Sequence, residues 1–366
     1  MEALISGAGI AGPTLAYWLA RQGWRVTVVE RAGALRSGGN PVDVRGPALP
    51  VAERMGILPR LRESATHATT MRVIGPSGRT VARLPMSASG DEVEIPRSDL
   101  AAILADTVRD DAELLLDDTI TTLRQDPGGV DVTFERAAPR RFDLVVGADG
   151  LHSTVRRLAF GPESTFVQPV GLYVATMPFG GPAETPSEVL LYNTPGRLVS
   201  IHPSRGEAVV AFIFRGEGLD RHAPHEAING TYRGEGWRVP ELLDRLRAIP
   251  DPYFDEVSRV TMPAWSTGRV TLLGDAASCV SLLGDGSTMA MTAAYTLATA
   301  LAEHPGDPAT AVHRYEVAHR RLVIPKQRGI GRAAGMLVPA TQLGLATRNL
   351  GARLMAHRPP RASTAA

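Results

Sequence analysis

The chain has 366 residues, 44% of them hydrophobic and 21% charged, with a formal net charge of +1. This length exceeds one simple core and points to two intertwined domains, while the balanced charge excludes the basic footprint of a nucleic-acid binder. One cysteine, Cys279, excludes an intramolecular disulfide and suits a reducing cytoplasm, and no apolar run is long enough to span a membrane.

Ala3 to Ser6 read as a short buried strand. Gly7, Gly9 and Gly12 follow with the spacing G-x-G-x-x-G inside Gly7-Ala8-Gly9-Ile10-Ala11-Gly12, and Pro13 opens a helix where its missing N–H does no harm. Leu15, Ala16, Leu19 and Ala20 form the apolar face of that helix, and Gly23 ends it in a left-handed cap. Val26 to Val29 form a second buried strand with Glu30 at its carboxyl end. The chemistry matches the spacing. Gly7 permits the tight turn, Gly9 lets a pyrophosphate approach the backbone, and Gly12 lets helix and strand pack closely. Glu30 is placed to accept hydrogen bonds from an adenosine ribose. Strand, helix, second strand and acid in this order separate a dinucleotide site from an ordinary glycine-rich turn. The apolar N-terminus lacks a basic segment and is broken by glycines, so it reads as strand plus helix and not as a signal peptide.

The loop Arg36 to Pro41 is glycine-rich; Arg36 reads as a solvated loop residue, whereas Arg45 stands between that reading and contact with a phosphate or ribityl chain. Pro47 to Arg62 look helical. Thr70–Ile74 and Arg79–Leu84 alternate around Gly75-Pro76-Ser77-Gly78, a hairpin signal. Ile95-Pro96-Arg97-Ser98-Asp99-Leu100 opens a helix to about Val108, and strands follow at 114–116, 120–123 and 130–134. Phe142 to Val146 form another buried strand ending in Gly147-Ala148-Asp149-Gly150, and Asp-Gly at such a strand end is a ligand position in an open sheet. Four alternating segments between Val167 and Arg215 predict an antiparallel sheet with two distinct faces. Residues 219–250 read as polar and helical. Val270 to Leu273 lead into Gly274-Asp275-Ala276-Ala277, then a loop from Ser278 to Ser287 and an alanine-rich helix from Thr288 to Leu301. Two closing helices are expected at 309–327 and 335–355.

Three motifs thus stand in order: G-A-G-I-A-G with Glu30-Arg31, G-A-D-G at 147–150 and G-D-A-A at 274–277. The chain resembles the single-component (class A) FAD-dependent monooxygenases of the para-hydroxybenzoate hydroxylase type. Arg97 in I-P-R-S-D-L and Trp265 in W-S-T-G-R-V-T-L-L-G-D add to the likeness. The resemblance implies an α/β fold: a Rossmann-like FAD-binding domain with an inserted antiparallel-sheet substrate domain and C-terminal helices. The expected division is a discontinuous FAD-binding domain of 1–69, 94–163 and 258–303, a substrate domain of 70–93 and 164–257, closing helices at 304–357 and a disordered tail at 358–366.

The resemblance further implies non-covalent FAD and transient NAD(P)H, since no second glycine fingerprint is present. Gly7, Gly9, Ala11, Gly12, Glu30 and Arg31 would hold the ADP half. Gly274 and Asp275 would hold the ribityl and pyrophosphate region, with Asp149, Arg45 and Arg97 also near the cofactor. Gly284 and Gly286 would let the loop approach the flavin ring. That loop departs from the family pattern: it lacks the prolines and the asparagine and is one residue shorter. The implied activity is hydroxylation or epoxidation of an apolar or aromatic small molecule with NAD(P)H and O2, in secondary metabolism or xenobiotic modification, by a cytoplasmic monomer or weak homodimer. A flavin reductase or oxidase on the same fold, and a non-catalytic binding protein, remain open. The chemistry is borne by the flavin, so no catalytic side chain is assigned and no metal cluster is seen. Tyr192 and His202, in the inserted sheet, are substrate-pocket candidates, each also readable as a buried residue with a structural hydrogen bond.

Overall fold

The computed structural model describes residues 1–34, 40–86, 92–279 and 285–356, so the expectations for Arg36, Gly284 and the tail at 358–366 fall outside the described residues. The chain divides into two compact units. The first comprises Met1–Ala65, Asp91–Val170 and Val257–Gly331, the second Thr66–Gly90, Gly171–Glu256 and Arg332–Ala366.

The first unit is built on a six-stranded sheet of β1 (Glu2–Ser6), β2 (Arg25–Glu30), β7 (Ala112–Leu116), β11 (Leu144–Gly147), β17 (Ser266–Thr267) and β18 (Val270–Leu272), in the order β17-β18-β11-β1-β2-β7. All but the edge strand β17 are parallel. Ala3-Leu4-Ile5 and Leu144-Val145-Val146 are completely buried, as a parallel sheet covered on both faces requires. Helix α1 (Ala11–Arg21) lays Leu15, Ala16 and Leu19 into this core, and Gly23 follows its end with φ +80°. A two-stranded piece, β3 (Val42–Arg45) with β6 (Glu92–Ile95), and a three-stranded meander of β8 (Ile120–Asp126), β9 (Gly129–Phe134) and β10 (Arg140–Phe142) flank it. The helices are α2 (Ala48–Arg54), α3 (Leu58–Glu63), α4 (Arg97–Asp106), α5 (Thr154–Ala159), α8 (Asp275–Ser278), α9 (Asp285–Glu303) and most of α10 (Pro308–Leu337).

Three expectations are corrected here. The helix expected over 47–62 is two, because Gly56 takes φ +71° and breaks it. The strand expected over 142–146 is also two. Phe142 belongs to the antiparallel meander, and the chain changes sheet at Asp143, whose carboxylate accepts the Glu2 N–H at 2.7 Å. The break expected between 327 and 335 is absent: α10 continues through Pro325 and three glycines, because Val323, Ile330 and Ala334 are buried and packing overrides propensity. Near its start, Glu316 accepts the Trp265 N–H at 2.9 Å and Arg320 stacks on the Trp265 ring.

The second unit carries a seven-stranded sheet of β4 (Thr70–Ile74), β5 (Thr80–Pro85), β12 (Val167–Pro178), β13 (Glu188–Thr194), β14 (Arg197–His202), β15 (Val209–Arg215) and β16 (Tyr253–Val260), in the order β16-β12-β15-β14-β13-β4-β5. One face packs Tyr192, Val199, Ile201, Phe212 and Phe214 against α6 (Pro224–Tyr232) and α7 (Val239–Leu246), whose Ile228, Leu242 and Leu246 are completely buried. On the opposite face, Asn193 accepts a hydrogen bond at 2.7 Å from Arg348 of α11 (Gln342–Ala356).

Candidate active site

The motifs converge because the strands that carry them are parallel and in register. Ser6 is level with Val29 and Gly147, and Gly147 with Leu272. The glycine turn, Glu30, the Asp149 turn and Gly274-Asp275 therefore occupy one carboxyl edge of one sheet, where open α/β sheets bind ligands.

The turn after β1 is closed from behind and open in front. Gly7 has φ +107°, and a Cβ there would collide with the carbonyl of Ala148. A Cβ on Gly12 would collide with the carbonyl of Gly7. A Cβ on Gly9 would meet nothing within 4 Å, so this is the glycine that faces free space. Helix α1 begins with no side-chain cap and no acid in its first turn. Its first N–H groups and its dipole are thus available to an anion. Glu30 is tied to the same turn: its carboxylate accepts the N–H of Ala8 at 2.8 Å and of Ala32 at 3.0 Å, which leaves lone pairs for further donors. Beside it, Arg31 donates to the Thr154 hydroxyl at 2.8 Å.

Asp149 accepts the Ser153 hydroxyl at 2.5 Å and the Val155 N–H at 3.1 Å. Burial pushes its carboxyl up, and those two donors pull it back. Ser153 in turn caps α5 through the Arg156 N–H. Arg156, missed from the sequence, is completely buried and donates to the carbonyls of Ala276 at 3.1 Å and Leu151 at 2.5 Å. It bolts the Asp149 turn to α8. Its only sequence signal is a charged residue three positions after the Ser153 cap of a short helix. Gly274, at φ +62°, rests against Ala11 of α1, with 3.2 Å from its notional Cβ to the Ala11 Cβ. Asp275 opens α8; burial pushes its carboxyl up, opposed by the Arg97 guanidinium and the Cys279 side chain.

The arrangement fits FAD. An uncapped helix start and an open glycine suit a pyrophosphate, and acceptors at Glu30 and Asp275 suit ribose and ribityl hydroxyls. Two other expected contacts are revised. Gly286 lies inside α9, not in a loop, because Ser287 and Thr288 both bond the Asp43 carbonyl and pin the helix start to β3. Arg45 faces three carboxylates, of Asp285 at 2.9 Å, Glu92 at 3.2 Å and Asp43 at 3.5 Å. A guanidinium so surrounded is a clamp on the first turn of α9, where Lys326 also reaches Asp285 at 2.9 Å.

The two substrate-pocket candidates are not brought together. Tyr192 points into the core of the second unit, stacked on Trp237 at 5.2 Å with its hydroxyl 3.4 Å from Glu235, and is corrected to a packing residue. His202 lies on the other face of the sheet, its Nε2 3.1 Å from the Ser200 hydroxyl. Its Nδ1 is buried with no partner among the described residues, and burial lowers its pKa to about 4.

The FAD binding domain family matches residues 1–323. A flavin-dependent monooxygenase of Legionella longbeachae is 32% identical over 340 residues, covering 90% of this chain and 87% of the relative. An uncharacterized protein of Mycobacterium tuberculosis is 40% identical over 309 residues, covering 81% and 83%. The crystal structure of tetracycline destructase Tet(51) superposes with a TM-score of 0.84 at 29% identity, covering 97% of this chain and 96% of that one. The chain belongs to the FAD binding domain family and is a flavin-dependent monooxygenase of the para-hydroxybenzoate hydroxylase type.

Proposed function

We propose that this monooxygenase uses NAD(P)H and O2 to hydroxylate or epoxidise a fused-ring aromatic or other largely apolar small molecule. The observation that carries the reading is the convergence of Gly9, Glu30, Asp149 and Asp275 at one sheet edge. When bound, FAD would supply the redox chemistry that couples oxidation of NAD(P)H to insertion of one oxygen atom of O2 into the substrate, the other leaving as water. The α1 start and Gly9 would hold its pyrophosphate, Glu30 the adenosine ribose and Asp275 the ribityl hydroxyls. Asp149, with Ser153 and Arg156, keeps the turn between these groups rigid. NAD(P)H binds transiently, and the enzyme works in the cytoplasm as a monomer or weak homodimer.

The substrate class rests on His202 and on the kinship with tetracycline destructase, named for a fused-ring polyketide. An imidazole that burial keeps neutral at physiological pH offers one N–H and one lone pair. Such a group orients a hydroxyl or carbonyl and gives no ion pair to a carboxylate. The test is a panel of phenols, polyketides and their carboxylated analogues, read by substrate-dependent O2 consumption and by a product one oxygen atom heavier. NAD(P)H oxidation with no heavier product across the panel would mark a reductase or oxidase. A protein that takes up no FAD would mark a binding protein.

A further inference from the structure

The C-terminal helix α11 has one docked face and one bare face. Leu345 and Ala352 are buried against the sheet, and Arg348 reaches Asn193. Leu343, Leu350 and Leu354 recur at intervals of seven and four, so they share one stripe on the opposite side. They are 74%, 58% and 64% exposed, and Met355 and Met336 are exposed as well. Isolated apolar residues on a surface need no explanation, but three leucines in one row on a helix that already has a docked face do.

The charge pattern says what covers the row. Five of the chain's 39 Lys and Arg, and none of its 38 Asp and Glu, lie in residues 332–366, the last stretch of the second unit. Arg348 turns to Asn193, and the stretch holds no acid to offset its other four arginines. Pairing with a second copy would set two such basic segments against each other. A nucleic acid would use the charge and leave the leucines in water. A lipid surface with anionic headgroups uses both, since apolar side chains enter the headgroup boundary while Lys and Arg meet the phosphates.

We propose that the outward face of α11 docks this enzyme on an anionic membrane surface. The helix has 15 residues, and no helix among the described residues is long and apolar enough to cross a membrane, so it lies in the interface plane. The contact is peripheral and reversible, and it is screened by salt because part of it is electrostatic. It does not depend on the substrate reading above.

The test is co-sedimentation of the FAD-loaded full-length protein with vesicles of phosphatidylglycerol and phosphatidylcholine, beside vesicles of phosphatidylcholine alone. Binding to the anionic vesicles is expected, at least tenfold stronger than to the neutral ones and weakened by salt. The triple variant Leu343→Ser, Leu350→Ser, Leu354→Ser should lose tenfold or more of this binding. Its melting temperature, flavin spectrum and elution volume should stay unchanged, because the three side chains are exposed. The single variant Leu350→Glu should act in the same direction. Equal binding of parent and triple variant would overturn the proposal, as would no binding to either vesicle. A parent that is dimeric by light scattering and becomes monomeric in the triple variant would also overturn it, assigning the row to a second copy of the chain.

Discussion

Gly12 backs onto the carbonyl oxygen of Gly7, with no room for a Cβ between them, whereas Gly9, between the two in sequence, faces free space. The three glycines of one motif therefore answer to different demands. Gly7 and Gly12 are required by the fold, and the proposed function assigns Gly9 to the pyrophosphate.

These demands are separable by mutation. Gly12→Ala should destabilise the apo-protein severely, by roughly 3 kcal/mol or more, since the opposing atom is backbone and cannot move aside. Gly9→Val should leave the melting temperature of the apo-protein within a few degrees of the parent and abolish FAD uptake. Thermal melts and flavin absorbance on both variants decide it. A Gly9→Val protein that purifies with normal flavin content would remove the pyrophosphate from this turn.

Glu30 holds the Ala8 and Ala32 N–H groups, and the proposed function adds acceptance of hydrogen bonds from the ribose. Glu30→Ala should weaken FAD binding tenfold or more, about 1.5–3 kcal/mol for hydrogen bonds to a charged group. Glu30→Gln keeps an acceptor and should fall between the two. Fluorescence titration of apo-protein with FAD gives the order directly; equal affinities in all three proteins would show that the ribose lies elsewhere.

The glycine turn and the placing of Glu30 were legible because their spacing is local to one strand–turn–helix–strand unit. Asp149 and Asp275 were legible as acids at strand ends. What joins them was not, because Arg156 meets Ala276 across 120 positions and no local pattern encodes that contact. The separation of Tyr192 from His202 has a different cause. Thr194 pairs with Arg197, so Pro195 and Gly196 form a two-residue turn, and Tyr192 is then level with Val199. His202, three residues beyond Val199, must point to the opposite face. The turn length was in the sequence, and its consequence follows only once the register is known.

Arg45 was expected beside the cofactor and is found among Asp43, Glu92 and Asp285. Removing it leaves three carboxylates facing one another, with Lys326 reaching only Asp285 among the ion pairs described. Arg45→Met should cost roughly 1–3 kcal/mol, less than a fully buried pair because the side chain is partly solvated. The loss should be larger at about pH 8 than at about pH 5, because the Asp43 carboxyl, raised to about 6 by burial and by Glu92, is partly protonated at the lower value. Melting curves at the two pH values test this; a loss that does not vary with pH would mean that the three acids do not sense Arg45.

The last prediction concerns His319. It is buried on α10, stacked on Tyr315 at 5.9 Å and tilted against Trp265 at 6.1 Å, and its Nδ1 has no partner among the described residues. Burial lowers its pKa to about 4, as it does for His202. A histidine whose folded-state pKa lies below its unfolded value of 6.5 binds fewer protons when folded. Between pH 6.5 and 4 the unfolded chain therefore takes up protons that the folded chain refuses, and stability is lost as pH falls through that window. Each histidine can contribute up to about 3 kcal/mol at the acid end. Asp43, Asp149 and Asp275 act with the opposite sign, since burial raises their carboxyls and so favours the folded state as pH falls. The histidine contribution is therefore read from the difference between a variant and the parent at about pH 8 and about pH 5. His319→Phe keeps a ring in the stack and removes the titrating nitrogen, so the gap in melting temperature between variant and parent should shift in the variant's favour as pH falls from about 8 to about 5. An unchanged gap would mean that His319 accepts its proton in the folded protein, and that the stack beside Trp265 is open enough to hydrate it.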